Sequence, residues 1–238
     1  KNNESPSESA DGDERVPITP IRRIIADNMK KSATLIPQAW TVVEVDVTNL
    51  VSLRDSIKIE FQRKLKANLS YFPFIISAVV ESLSEHPLLN STWDEDAIII
   101  KRAINIGVAV ATHLGLMVPV LHNATSLSIV EIAKTLDSIT SRAREGKLNL
   151  EDVQGGTFTI NNTGVLGSVI SKPLVNFPQA AIMSTEAIVK RPVISNDAIA
   201  IRSMMNLCLT FDHRIMDGSE ASAFIATVKS NLEQIDPK

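Results

Sequence analysis

The sequence predicts an α/β fold, with helices covering the faces of one large mixed sheet. Three observations lead there. Apolar side chains alternate with other residues over 40–47 and again over 207–211, the period of a strand. Apolar residues recur at helical spacing in Leu50, Leu53, Ile57, Phe61 and Leu65, and again in Phe224, Ile225, Val228, Leu232 and Ile235. The tally of such segments along the chain contains both types in quantity, which fits layered helix-on-sheet packing.

With 238 residues, 44% of them hydrophobic, the chain can bury one large core or two small ones. A net charge of -3 argues against nucleic acid or an anionic membrane as the main partner. No apolar run approaches the length of a membrane span, and no secretory signal is visible. The single cysteine, Cys208, excludes an internal disulfide and fits a reducing compartment. The expected location is therefore the cytoplasm, or the mitochondrial matrix in a eukaryote. A chain that begins at lysine reads as a fragment or a processed product.

Residues 1–15 are rich in Ser, Asn, Asp and Glu and nearly lack large apolar side chains, so they are expected to be a flexible linker ahead of a catalytic domain spanning 16–238. Thr19-Pro20 gives an N-cap with proline at the first helical position, and Ile21, Ile24, Ile25 and Met29 are expected to form that helix's buried stripe. Arg22 and Arg23 read as solvated-face charges. Residues 40–47 form a strand with Val43, Val45 and Val47 on one face. The helix begun by Tyr71-Phe72-Pro73 is apolar nearly all round, hence deeply buried, and Pro87 ends it. Residues 88–93 and 97–101 read as a hairpin around Asp94-Glu95-Asp96. Two apolar strands, 104–111 and 116–121, meet at His113-Leu114-Gly115. Ser128 and Glu131 make a capping box for a helix burying Ile132, Leu136, Ile139 and Ala143 and ending at Gly146. The last strands are placed at 198–201 and 203–211, with a turn at Ser195-Asn196-Asp197. His86, His113 and His122 stand at element ends or turns and read as capping or surface residues. Neither an internal repeat nor a metal-ligand cluster appears, so metal catalysis is not expected.

The chemistry concentrates in Asp212-His213-Arg214-Ile215-Met216-Asp217-Gly218, on the connection between a strand and a helix. Such a place holds an imidazole fixed while one nitrogen stays accessible, and imidazole moves protons near neutral pH. Asp217 with Glu220 also matches a capping box. His213 to Gly218 fits the HxxxDG motif and resembles the coenzyme A-dependent acyltransferases related to chloramphenicol acetyltransferase. With Asp212 the motif becomes DHRxxDG, similar to dihydrolipoamide acyltransferases, the cores of 2-oxoacid dehydrogenase complexes. VPITPIRRIIADNMKKS, INIGVAVATHLGLMVPVLHNA and GGTFTINNTGVLGS resemble, in order, further segments of that family, covering roughly residues 16–235. Ala111 and Leu114 depart from it where an aspartate and a charged residue are frequent.

The resemblance implies the chloramphenicol acetyltransferase-like fold, a trimer with its active site between protomers, and acyl transfer between a dihydrolipoyl thiol and coenzyme A. It implies His213 as general base and, where relatives carry a Ser or Thr, Asn161 as donor to the developing oxyanion. It also implies an arginine of the first helix pairing with Asp217, leaving open whether Arg22 or Arg23 serves. Cys208, mid-strand among aliphatic neighbours, reads as a structural thiol rather than an acyl carrier. The implied partners are the decarboxylase component and dihydrolipoamide dehydrogenase, reached through upstream domains, one of which carries the lipoyl group. Relatives assemble trimers into cages partly through a leucine-rich tail, which is not seen after Asp236-Pro237. The stretches NNTG, PQAAI and NLCL look most like bacterial branched-chain enzymes. The alternatives are a free-standing acetyltransferase and a structural core without catalysis. A peptide-synthetase condensation domain is disfavoured, because it needs histidine where Asp212 stands.

Overall fold

A computed structural model describes residues 13–113 and 115–237. Residues 1–12, most of the expected linker, lie outside the described residues, as do Leu114 and Lys238. The chain runs α1 (Pro20–Leu35), β1 (Gln38–Asp46), α2 (Thr48–Leu65), α3 (Phe72–Glu85), β2 (Ser91–Asp94), β3 (Ala97–Ile100), β4 (Ile106–Val108), β5 (Val110–Thr112), β6 (Gly115–Met117) and β7 (Val120–Leu121). It continues through α4 (Ile129–Arg144), β8 (Phe158–Asn162), β9 (Ala181–Thr185), β10 (Val189–Ser195), β11 (Ala198–Asp212) and α5 (Gly218–Glu233).

The described residues form a seven-stranded mixed sheet of order β1-β11-β9-β8-β4-β7, with β10 also paired to β11. Parallel pairs β4–β8 and β8–β9 sit in its middle, and antiparallel pairs flank them. Successive strand side chains point to opposite faces. Met205, Leu207, Leu209 and Phe211 of β11 therefore face one way, where they join Leu50, α3, α4 and α5 in the main core. Asn206, Cys208, Thr210 and Asp212 face the other way. A smaller cluster there comprises Ile36, Val175 and Ile182, with Phe177 packed on it.

The helices with strong local signals form as the sequence predicts. The capping box of Ser128 and Glu131 opens α4, whose residues 132, 136, 139 and 143 are buried. Phe224, Ile225, Val228 and Leu232 of α5 are fully buried, and Phe224 packs 5.8 Å from Phe158 between ring centroids. Truncating such a residue to alanine costs about 3–5 kcal/mol, from lost transfer energy plus the cavity.

Other expectations are corrected. The stripe of α1 is not buried within the chain: Ile24 is 62% exposed, while Ile21, Ile25 and Met29 are half-buried. Thr19 caps α1 by accepting from Arg22 N at 3.2 Å, but the helix packs chiefly on β6, where Gly115 lies against Ile25. The first hairpin strand starts at Ser91, because Pro87–Asn90 forms a 3-10 turn. Residues 104–121 make four short strands rather than two long ones, with β4 and β7 in the main sheet and β5 and β6 in a separate hairpin. Residues 198–212 form one continuous strand, and its hairpin partner is β10. Asn196 and Asp197 make that turn in the left-handed region, at φ 51° and 61°.

Candidate active site

β11 delivers the His motif to the sheet's end. Asp212, 1% exposed, donates its N–H to Ala180 O at 2.8 Å, which ties it to the residue before β9. Its carboxylate accepts from Arg214 N at 3.0 Å, Nε at 3.0 Å and Nη2 at 2.6 Å. A bidentate guanidinium–carboxylate fork of this kind is strong and directional. The carboxylate holds the Arg214 guanidinium above its ordinary pKa. Trp93 of β2 lies under that guanidinium, 5.0 Å from ring centroid to Cζ. The backbone of His213 donates to Pro37 O at 2.9 Å, so the turn is also pinned where β1 begins.

The His213 side chain is 49% exposed and tilts against Phe211 at 5.7 Å between centroids. Its Nδ1 stands 3.7 Å from Asp217 Oδ1, too far for a hydrogen bond, and Asp217 is 80% exposed. Asp217 is the N-cap of α5 and forms the expected capping box with Glu220, whose carboxylate accepts from Asp217 N at 3.1 Å. Among the described residues of this chain, neither Arg22 nor Arg23 forms an ion pair with Asp217. The arginine pair within the motif is made instead by Asp212 and Arg214.

Asn161 lies elsewhere. It occupies β8, where register places Asn161 beside Ser184 of β9 and Ser184 beside Cys208 of β11. Asn161 is thus two strands and five register positions from His213. At about 3.3 Å per residue along a strand, the offset is roughly 16 Å before the strand separation is added. One chain does not bring the two together. Asn161 is half-buried, and its side chain makes no hydrogen bond among the described residues.

The loop after β8 is held from below by Glu186, which is 3% exposed. Its carboxylate accepts from Thr163 Oγ1 at 2.7 Å, Ser171 Oγ at 2.6 Å and Ser184 Oγ at 2.8 Å. Burial works against its charge, yet the hydroxyls of Ser168, Ser171, Thr163 and Ser184 hold it below the usual carboxylate pKa. A Cβ on Gly164 would come within 2.4 Å of the Glu186 backbone, which is why glycine stands there. Cys208, fully buried beside this network, has its thiol pKa pushed up by burial, as fits a structural thiol. On the helix-covered face beside the same strand ends, Tyr71, Ile75, Asn162, Val165 and Thr185 line an open groove. The Thr185 hydroxyl is buried there without a partner.

His86 bonds Thr227 Oγ1 at 2.9 Å and His122 faces Glu151 O at 3.1 Å, so both are engaged structurally. Sequence reading missed Asp212–Arg214, Trp93 and Glu186. The signals were an acid two residues before an arginine, an aromatic in a short hairpin, and one carboxylate inside AAIMSTEAIV. No metal-holding group of His, Cys, Asp and Glu occurs among the described residues. No helix there is long and apolar enough to cross a membrane.

The family model for 2-oxoacid dehydrogenases acyltransferase (catalytic domain) matches residues 10–237. The chain is 51% identical over 231 residues to the lipoamide acyltransferase component of the branched-chain alpha-keto acid dehydrogenase complex of Bacillus subtilis (strain 168), covering 97% of this chain and 54% of that protein. It thus spans about half the length of the curated relatives it matches. A probable dihydrolipoamide acetyltransferase from Listeria monocytogenes superposes with TM-score 0.93 at 48% identity, covering 94% of this chain and 96% of that one. A dihydrolipoamide acetyltransferase of Azotobacter vinelandii, studied for the catalytic roles of a serine, a histidine and an asparagine, superposes with TM-score 0.90 at 30% identity over 93% and 91% of the two chains. The fold alone is shared with chloramphenicol acetyltransferase, at TM-score 0.56 and 16% identity over 90% and 96% of the two chains. This chain belongs to the family of 2-oxoacid dehydrogenase acyltransferase catalytic domains.

Proposed function

We propose that the chain transfers an acyl group between a dihydrolipoyl thiol and coenzyme A, at a site that a second copy completes. The observation that carries this reading is a half-exposed imidazole on a turn anchored at Pro37, Ala180 and Arg214. An alkyl thiol with a pKa of about 8.5 is only a few per cent thiolate at neutral pH. His213 removes that proton as the sulfur attacks the thioester carbonyl. When the tetrahedral intermediate collapses, the departing sulfur takes the proton back from the imidazolium. With Nδ1 turned toward Asp217, Nε2 is the nitrogen that serves.

Asn161, with its amide unengaged, is the donor for the oxyanion, and the separation within one chain means that a neighbour supplies it. In the Azotobacter protein, the serine, histidine and asparagine stand at the same intervals as Asn161, His213 and Asp217 do here. That agreement supports both assignments, with an amide replacing the hydroxyl. Asp217 then acts through the turn rather than through its charge.

The assembly we propose is a trimer-based homo-oligomer forming the core of a 2-oxoacid dehydrogenase complex. Ile18 and Ile24 around α1, Val165 and Leu166 after β8, and Ile194 and Ile199 at the β10–β11 tip are all more than half exposed, and a neighbouring copy would cover them. The lipoyl group, the decarboxylase and dihydrolipoamide dehydrogenase would be reached through further domains of the longer protein. The branched-chain name of the Bacillus subtilis relative favours a branched acyl group. Thioester exchange between dihydrolipoamide and acyl-coenzyme A tests the activity; exchange no faster than the uncatalysed reaction would overturn it. Light scattering that returns a monomer at micromolar concentration would remove the shared site.

A further inference from the structure

We infer that Trp93 is a positioning residue for acyl transfer, its indole face holding the Asp212–Arg214 fork that fixes the turn carrying His213. The inference rests on the reading of His213 as the base. Arg214 has two neighbours that define its place: the Asp212 carboxylate in its plane, and the Trp93 ring 5.0 Å beneath it. The fork ties the side chain of Arg214 to the residue directly before His213. Whatever fixes that guanidinium therefore fixes both flanks of the imidazole.

Trp93 is well placed for this. It sits on β2, whose Ser91 carbonyl accepts from Ala180 N at 3.0 Å, while Asp212 N donates to Ala180 O at 2.8 Å. A bridge between Thr92 and Gln179 joins the same two segments. The hairpin, the residues before β9 and the end of β11 thus form one hydrogen-bonded unit, and the indole is its arm over Arg214. The Arg214 side chain is 29% exposed, so without a cover water would compete for its planar face and loosen the fork. An aromatic ring attracts a guanidinium through its quadrupole and also excludes that water. Catalysis is sensitive to such placement, since a base displaced by about 1 Å can lose on the order of a hundred-fold in rate. Trp93 is itself 38% exposed, so replacing it leaves the core intact.

Trp93→Phe, Trp93→Leu and Trp93→Ala are compared in the assembled oligomer by steady-state thioester exchange, with assembly checked by light scattering. The expected result is a kcat about ten-fold lower for Leu and Ala at unchanged KM for both thiols, with Phe within about two-fold of the parent. In an Arg214→Gln background, Trp93→Leu should add no further loss, because the tryptophan acts through the arginine. A Leu variant as active as the Phe variant, or a loss that persists undiminished in Arg214→Gln, overturns the inference. His213→Ala is assayed alongside. Full turnover there removes the base reading, whereas an inactive His213→Ala with an undiminished Trp93→Leu removes the positioning role alone.

Discussion

Asn161 stands in β8 and His213 on the turn directly after β11, two strands and five register positions apart, with Ser184 and Cys208 marking the row of Asn161. A donor and a base so separated cannot serve one thioester from within a single chain. The site is therefore proposed to combine His213 of one copy with Asn161 of the next. This geometry makes a prediction that single variants cannot. His213→Ala and Asn161→Ala, each inactive alone, should regain activity when mixed and reassembled. For random 1:1 mixing, one interface in four pairs an intact His213 with an intact Asn161, so about a quarter of the parent rate is expected. A mixture as inactive as its components would place both groups in one protomer's site.

His213→Ala should lower turnover at least about a hundred-fold, the scale of a lost general base, without dissolving the assembly. The side chain is half-exposed and its backbone bond to Pro37 survives the change, so melting should hardly move. Turnover within ten-fold of the parent would contradict the role.

Asn161→Ala should reduce kcat about a hundred-fold with little change in KM, and Asn161→Ser should recover part of it. The unengaged amide means that its removal leaves no orphaned partner in the chain, so the variant should fold normally. Unchanged turnover would place the oxyanion donor elsewhere.

Asp217→Asn should keep most activity, whereas Asp217→Ala should lose about 0.5–2 kcal/mol of stability with the cap of α5. The 3.7 Å approach to His213 between two solvent-exposed groups is worth little as an ion pair. Thermal unfolding and kcat measured on both variants separate cap from charge; an inactive Asp217→Asn of normal stability would reassign the residue to electrostatics.

Glu186 predicts an acid-sensitive contribution to stability. Its folded pKa lies below the ordinary value of 4.5, because four hydroxyls outweigh the opposing effect of burial. The unfolded chain therefore binds the proton more tightly, so this stabilisation is complete above about pH 4.5 and is lost as pH falls through the folded pKa. Glu186→Gln should be less stable than the parent at pH 7, and the gap should narrow as pH drops below about 4. Melting curves across pH 3–7 check this, and a gap independent of pH would show that the carboxylate is not held as an anion.

The branched acyl group proposed on the likeness to the Bacillus subtilis enzyme gives a substrate test. Isobutyryl-coenzyme A should turn over faster than acetyl- or succinyl-coenzyme A, by up to about ten- to two-hundred-fold per methylene, as pocket fit allows. Competition assays with the three thioesters measure it directly.

Sequence by itself determined what is set within a few residues. Ser128 with Glu131 and Asp217 with Glu220 are spaced to close their own capping boxes. The alternation of residues 207–211 fixed which side chains at the end of β11 face the core, and the strand-to-turn-to-helix order around His213 followed from period and cap alone. Periodicity states which face is apolar but not what covers it. Ile24 therefore reads as core, yet it stands 62% exposed in the single chain. Pairing across long sequence separations was equally out of reach, because each strand can meet several partners until the whole sheet is assembled. Only the tertiary structure set Asn161 level with Cys208 rather than His213, joined residues 198–212 into one strand, and gathered three loop hydroxyls onto Glu186. The partner of Arg214 shows the same division: Asp212 is two residues away in the chain, while Trp93 reaches it only because β2 is hydrogen-bonded to the segment before β9.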